Sequence, residues 1–210
     1  VGGISGGPYL LAAAGLMHGY RMTVDWEHAP AMQERWPELL LERSLYIFDR
    51  KRVTCAGGTA PLDLMHSLIT EHHGHSFARK VSDWFMHTDF RPAAGPQRAG
   101  LVERIGVTDQ AILNAIEAME NHISDPLNLQ DLSRIAQVGE RQLNRLFKNK
   151  LNISTMGYYR GLRLDLAQNL LRNSSLSVTE ISLATGFSGS AHFSSCYSQK
   201  FGGPPSSQRR

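Results

Sequence analysis

The sequence has little cysteine and no long apolar run. Its two cysteines, Cys55 and Cys196, form neither a CxxC pair nor a zinc-ligand spacing, which argues against a disulfide framework and favours a reducing cytoplasm. No stretch approaches the roughly 20 apolar residues of a membrane-spanning helix, so we expect no membrane partner. The histidines of 72–75 lack an accompanying ligand set, and we predict no metal site and no cofactor.

Net charge is also small, at +3, but it is unevenly distributed. Residues 1–100 hold ten basic and ten acidic side chains, residues 101–126 hold one and five, and residues 127–210 hold eleven and four. A basic segment behind a neutral one favours a polyanionic partner for the last part of the chain. A solvated basic surface without a partner would give the same count, so charge alone leaves both alternatives open.

The segment 177–209, SVTEISLATGFSGSAHFSSCYSQKFGGPPSSQR, has the spacing of two short helices joined by a glycine turn. A hydroxyl at Ser177 or Thr179 with Glu180 close behind is a helix-start signal, and Gly186 suits the turn because glycine accepts positive φ. Phe193 and Tyr197 lie four residues apart and therefore share one face of the second helix. The segment predicts a helix-turn-helix.

Residues 127–151 repeat this pattern about fifty positions earlier, with Leu143 and Phe147 in the places of Phe193 and Tyr197. A helix predicted over 154–172 joins the two copies. Such a spacer can present two helices to successive major-groove faces of a duplex, roughly 34 Å apart. The sequence thus predicts two helix-turn-helix units, at about 127–151 and 177–203.

The second unit resembles the AraC/XylS family in the run from Ile181 to Ser188, then in His192-Phe193-Ser194, Tyr197, Phe201-Gly202 and Pro205. The resemblance implies DNA binding through the second helix of each unit. Candidate base-reading residues in the first unit are Arg141, Gln142, Asn144 and Arg145. Candidate phosphate contacts are Lys148, Lys150, Arg160 and Arg163. In the second unit the candidates are Gly189, Ser190, Ala191, His192 and Ser195.

Two departures from the family pattern lie in and near the turn of the first unit. Gln137 stands where the family has a turn glycine, and Gly139 where it has a serine cap. The second recognition helix is poor in charge, with serine at Ser195 where the family is often basic. We therefore expect the first unit to dominate base readout.

The first hundred residues alternate short strand-like segments, glycine turns and helices, which is typical of an α/β sandwich. Gly3-Ile4-Ser5-Gly6-Gly7 fits G-x-S-x-G, the turn that exposes a nucleophilic serine in some hydrolases. A glycine-rich strand-to-helix turn also occurs without catalysis, so an amidase or hydrolase using Ser5 is the alternative function. A later helix from Phe77 is expected to pack through Phe77, Val81, Trp84 and Phe85.

Three segments resemble the C-terminal half of a PfpI-type, class I glutamine-amidotransferase-like domain: GISGGPYLLAAAGLMHGYRMTVDWE, TCAGGTAPLDLMHSLI and HGHSFARKVSDWF. Joined to AraC-type helices, this domain resembles the GlxA family of regulators. The superfamily's enzymes carry cysteine and histidine where this chain has Ser5 and Asp25, which implies a pocket that binds without turnover. Candidate ligand contacts are Ser5, Gly6, Asp25 and Trp26.

A carboxylate beside an indole suits a cationic solute, and the family implies betaine-, carnitine- or arginine-like effectors. The alternative is that Trp26 belongs to the core. The full expectation is a flavodoxin-like, amidotransferase-like α/β sandwich fragment at 1–90, a linker at 91–107 and an all-α AraC-type domain at 108–210. Because the chain begins at Val1 inside an apparent strand, we expect the N-terminal part of the sensor domain to be missing.

Function is expected to follow the resemblance. We predict a cytoplasmic bacterial transcriptional regulator without enzyme activity, an activator that acts as a homodimer. Its expected partners are an operator in double-stranded DNA, a small-molecule effector and RNA polymerase.

Overall fold

The computed structural model describes residues 1–208 and separates into two compact units, Val1–Arg98 and Ala99–Arg210. Residues 209 and 210, the last two of the predicted DNA-binding domain, lie outside the described residues. The boundary between the units falls inside 91–107, the segment predicted to be a linker. That segment is not free of structure: Leu45 N–H donates to Ala93 O at 2.8 Å in the first unit, and a helix begins at Leu101 in the second.

The first unit is an α/β arrangement of short elements. Its strands are β1 (Gly2–Ile4), β2 (Arg21–Met22), β3 (Leu40–Leu41), β4 (Tyr46–Asp49) and β5 (Arg52–Cys55). Its helices are α1 (Gly7–Ala13), α2 (Ala29–Arg35), α3 (Ala60–His73) and α4 (His75–Trp84). The strands form a three-stranded sheet in the order β1-β5-β4 and a separate parallel pair of β2 with β3. In the larger sheet β1 runs parallel to β5, and β4 runs antiparallel to it.

Two apolar clusters hold this unit together. One gathers Met17, Met22, Val24 and Met32 between α1, β2 and α2. The other gathers Leu45, Tyr46, Cys55, Ala60 and Leu64 where α3 lies against the larger sheet. Burial raises the pKa of the Cys55 thiol, which keeps it protonated in this apolar setting.

The prediction that α4 packs through its aromatic residues is wrong. Its buried residues are Ala78 and Ser82, whereas Phe77, Trp84 and Phe85 are exposed, Trp84 to 87%. The Ser82 hydroxyl donates to Ala78 O and contacts His66 Nδ1 at 3.0 Å, so small side chains let α4 approach α3 closely. Apolar spacing alone does not distinguish this small-residue face from the aromatic one.

The second unit is helical throughout its described part. Its helices are α5 (Leu101–Ile105), α6 (Gln110–Asn121), α7 (Leu129–Ile135), α8 (Glu140–Leu151), α9 (Thr155–Asn173), α10 (Val178–Ala184) and α11 (Ser190–Phe201), followed by a short 3-10 turn at Pro205–Gln208. Four of them begin at polar caps whose side chains accept backbone N–H groups: Asp109, Asn128, Ser154 and Ser177. None of the helices in residues 1–208 is long and apolar enough to cross a membrane.

Each helix-turn-helix of this unit packs on the long helix α9. Around the first, Ile116, Met119, Leu132, Leu143 and Phe147 are buried together with Tyr159 of α9. In the second, Phe187, Phe193, Tyr197 and Phe201 form a ladder with successive ring centroids 5.2, 5.6 and 4.6 Å apart. Each ring buries roughly 150–250 Å², so these aromatics fix the orientation of α11.

Candidate nucleic-acid interface and ligand pocket

The two helix-turn-helix units share one backbone design. In the first, Val138 N–H donates to Ser133 O at 3.1 Å; in the second, Phe187 N–H donates to Ser182 O at 2.9 Å. The turn residue before each donor is left-handed, with φ 57° at Gln137 and 70° at Gly186. The two turns thus share a backbone hydrogen bond and a left-handed residue at equivalent positions.

The first recognition helix, α8, separates a buried face from a basic one. Leu143 and Phe147 are fully buried. The opposite face exposes Arg141, Gln142, Arg145, Lys148 and Lys150. Asn144 differs from its expected neighbours because it is half-buried and its Oδ1 accepts from Thr155 N–H at 3.2 Å. Asn144 thus ties α8 to the start of α9.

The second recognition helix, α11, presents a polar and nearly uncharged face. Phe193 and Tyr197 are buried, while Ser190, Ala191, His192 and Ser195 are exposed and Gly189 is half-buried. The one lysine of α11, Lys200, lies 2.6 Å from Asp165 of α9 and donates to Gly161 O. That lysine therefore supports the helix packing.

The candidate phosphate contacts on α9 lie in two different environments. Arg160 is exposed. Arg163 is half-buried: its Nε donates to Thr185 O at 2.7 Å, and its guanidinium lies 4.2 Å from the Phe187 ring centroid. Burial lowers the pKa of Arg163, in keeping with this enclosed position. Its visible contacts fix the second turn onto α9, and nothing in the sequence near Arg163 signals this.

Helix α10 begins at a complete capping box. Glu180 N–H donates to Ser177 Oγ at 3.1 Å, and Ser177 N–H donates to Glu180 Oε2 at 2.6 Å. The cap predicted at Ser177 is confirmed. Helix α11 lacks such a cap, because Gly189 precedes it without a side-chain hydrogen bond.

In the first unit, the candidate elbow has the geometry that its motif predicts. Ser5 follows β1, precedes α1 and has φ 57°. Its N–H donates to Cys55 O at 3.0 Å, and a Cβ on Gly57 would come within 3.1 Å of its hydroxyl. The hydroxyl is exposed, and none of the histidines in residues 1–208 is hydrogen-bonded to it.

A cavity of about 210 Å³ lies near this turn. Asp25 and Trp26, two of the candidate ligand residues, line it together, whereas Ser5 and Gly6 are not among its lining residues. Sequence reasoning missed the rest of the wall: Leu45, Ala56, the turn from Gly57 to Ala60, Arg91 and Gln97. Several of these follow β5 or come from the segment that was predicted to be a linker.

Arg91, which lines this cavity, belongs to a buried ion-pair network. The Asp63 side chain is fully buried and accepts from the Arg91 guanidinium at 2.6 and 3.0 Å, with His87 Nε2 also 3.0 Å away. Burial alone would raise the pKa of Asp63, but these hydrogen bonds outweigh it and hold that pKa below its ordinary value. Arg91 also donates to Thr59 Oγ1 at 2.8 Å, which fixes the start of α3.

Two helix-turn-helix motifs joined by the single helix α9 place the helical part of the chain in the class of tandem helix-turn-helix domains. A helix-turn-helix domain family matches residues 132–210. The HTH-type transcriptional regulator GlxA of Rhizobium meliloti (strain 1021) is 44% identical over 210 residues, which are 100% of this chain and 65% of that protein. The regulator CdhR of Pseudomonas aeruginosa is 42% identical over 209 residues, 100% of this chain and 62% of that protein.

Among solved structures, an AraC-type DNA-binding domain protein from Chromobacterium violaceum shares 40% identity, with 47% of this chain and 88% of that chain covered and a TM-score of 0.46. The chain is therefore similar over its whole length to HTH-type transcriptional regulators, and its residues 132–210 match the helix-turn-helix domain family. It spans less than two thirds of the length of these two curated relatives.

Proposed function

We propose that this chain is part of a sequence-specific DNA-binding transcriptional regulator. The observation that carries the proposal is α8, which buries Leu143 and Phe147 and exposes a row of basic side chains on its outer face. A helix held this rigidly can enter a major groove with its polar face toward the bases. The names of GlxA and CdhR, both HTH-type transcriptional regulators, support the same function.

Roles within the interface follow from exposure. Arg141, Gln142 and Arg145 can form bidentate hydrogen bonds with guanine or adenine edges. Lys148, Lys150 and Arg160 are placed to contact phosphates, which position the protein without reading sequence. Asn144 and Arg163 support the interface through their contacts with Thr155 and Thr185.

The second helix-turn-helix, formed by α10 and α11, contributes less base-specific hydrogen bonding than the first. The Ala191 methyl suits a thymine methyl, while the hydroxyls of Ser190 and Ser195 and the ring of His192 supply hydrogen bonds. The backbone at Gly189, which carries no side chain, lets a phosphate approach α11. Base discrimination is therefore concentrated in the half-site under α8.

Selection from a random duplex library tests this function directly. The full chain is immobilised, bound duplexes are amplified over several rounds at moderate salt, and the pool is sequenced. We expect a motif with two conserved blocks about one helical turn apart, and stronger conservation in one block. Recovery of an unenriched pool would contradict sequence-specific binding.

In this proposal the α/β unit of the chain is the amidotransferase-like half of a sensor domain and supplies a small-molecule effector site. Asp25 and Trp26 line the cavity and offer a carboxylate and an indole face to a cationic solute of the betaine, carnitine or arginine kind. Effector binding would change operator binding of a homodimer, or its contact with RNA polymerase as an activator, in the cytoplasm. The unit is proposed to bind without turnover.

The elbow geometry of Ser5 is the observation that favours a second candidate, a serine amidase or hydrolase. That function requires a base to activate the hydroxyl. Incubation of the full chain with activated esters and amides, beside a Ser5→Ala variant, distinguishes the two. Turnover lost in the variant would support the hydrolase; equal background rates support the binding role.

A further inference from the structure

One face of the Trp26 ring already carries a cation from the chain itself. Trp26 is 42% exposed, and the Arg98 guanidinium carbon lies 4.2 Å from the centre of its ring. This is the distance at which an arginine is attracted to the negative face of an indole. A solute cation binding to that face would meet Arg98 there.

The residue before Arg98 explains how the guanidinium reaches the indole. The Gln97 side-chain N–H₂ donates to Ser44 O at 2.7 Å and to Val24 O at 3.1 Å. Two carbonyl acceptors fix the orientation of this amide, because its oxygen could not accept from either of them. These hydrogen bonds hold Gln97 beside Val24, which lies two residues before Trp26 in the chain. The next residue after Gln97, Arg98, is thereby placed against the Trp26 ring.

The contact between Arg98 and Trp26 also involves the residue at which the first unit ends. Arg98 is the last residue of the first unit, and Ala99 begins the second. A ligand that removes Arg98 from Trp26 therefore releases a side-chain tether at the residue where the chain passes from one unit to the next.

We propose that Arg98 is a built-in competitor for the effector: it occupies the Trp26 face in the ligand-free protein and is displaced by a small organic cation. The inference depends on the effector site proposed above and adds how that site is regulated. It predicts an effect larger than charge repulsion alone would give. Removing a positive residue would strengthen cation binding by more than the loss of long-range repulsion, because the indole face becomes vacant.

The expected size follows from the competing interaction. An exposed cation–π contact is worth a factor of about two to five in an equilibrium constant. An Arg98→Gln variant should therefore bind a quaternary ammonium probe about two- to fivefold more tightly than the unmodified chain. Arg43→Gln is the matched control, since Arg43 is an exposed arginine of the same unit that, within the described residues, does not contact the Trp26 ring.

The experiment is isothermal titration of the full chain with choline and with its uncharged carbon analogue, 3,3-dimethylbutan-1-ol. We expect choline to bind more tightly than the alcohol, Arg98→Gln to raise choline affinity, Arg43→Gln to leave it unchanged, and Trp26→Leu to reduce the difference between the two probes to what the Asp25 carboxylate alone supplies. Circular dichroism of each variant confirms that it is folded.

Three results would overturn the inference. Equal choline affinity in Arg98→Gln and Arg43→Gln would show that Arg98 does not compete. Equal binding of choline and the alcohol would show that the indole does not select charge. Absence of choline binding in every protein would remove the site itself. None of these results alters duplex selection, so the regulator function stands or falls separately.

Discussion

A glycine and a glutamine in equivalent turns offer a sharp test of the backbone argument. Gly186 has φ 70°, and a Cβ built there would lie 2.5 Å from Pro126 Cγ and 2.7 Å from Ile123 O. The left-handed conformation costs a residue with a Cβ roughly 1–2 kcal/mol. Overpacking against Pro126 and Ile123 adds about 1–3 kcal/mol. Gly186→Ala should therefore lower the free energy of unfolding by about 2–5 kcal/mol.

The turn of the first helix-turn-helix supplies the matched control. Gln137 has φ 57° and already accommodates a Cβ, so Gln137→Ala should change the free energy of unfolding little. Gln137→Gly removes the left-handed strain, roughly 1–2 kcal/mol. The added freedom of the unfolded chain takes back about 0.4–1 kcal/mol. The net expectation is a stabilisation between about zero and about 1.6 kcal/mol.

Urea unfolding followed by circular dichroism at the helix band measures these changes. Tryptophan fluorescence is unsuitable, because Trp26, Trp36 and Trp84 all lie in the first unit. Gly186→Ala as stable as the unmodified chain would refute the steric reasoning. A loss of only about 1–2 kcal/mol in Gly186→Ala, the cost of the left-handed conformation alone, would show that the contact with Pro126 adds nothing.

Three further predictions concern single interactions. Ser177→Ala removes one half of the capping box and should lower the free energy of unfolding by about 1 kcal/mol in urea titrations, whereas no change would mean that solvent replaces the cap. Because the folded-state pKa of Asp63 is depressed, its stabilisation is present above the ordinary carboxyl range and is lost as pH falls through the folded pKa. Asp63→Asn should therefore reduce the loss of stability at acid pH. It should also lower the free energy of unfolding near neutral pH by about 3–5 kcal/mol, because Arg91 loses its carboxylate partner. A stability–pH curve whose acid part is unchanged would count against the network. Arg163→Lys should weaken all duplexes equally while leaving base preference intact, since its Nε bond to Thr185 O is lost, and a change of preference at one base would show direct readout instead.

The sequence predicts correctly those features of the fold that depend on residues close together in the chain. The cap at Ser177, the glycine at Gly186 and the buried pair Phe193 and Tyr197 all follow from short-range rules, and the structure shows each of them. The alternation of strands and helices in the first unit is also read correctly, although the strands are only two to four residues long.

The remaining features depend on partners that are distant in sequence. Asn144 and Arg163 have the residue types of DNA contacts, yet both bind backbone groups of neighbouring elements. Gln97 lies in a segment rich in glycine and proline, and its role is visible only once Ser44 and Val24 are beside it. Residue type and spacing carry no record of such contacts.

Binding of the selected duplex across a salt series tests the central claim most directly. The full chain, Arg145→Ala and Lys148→Ala are titrated with the selected duplex and with a shuffled duplex of equal length. The account predicts that Arg145→Ala loses about 1–3 kcal/mol of preference at one base position. Lys148→Ala should weaken both duplexes alike and reduce the slope against salt by about one. Equal affinity of the unmodified chain for the two duplexes at every salt concentration would contradict it.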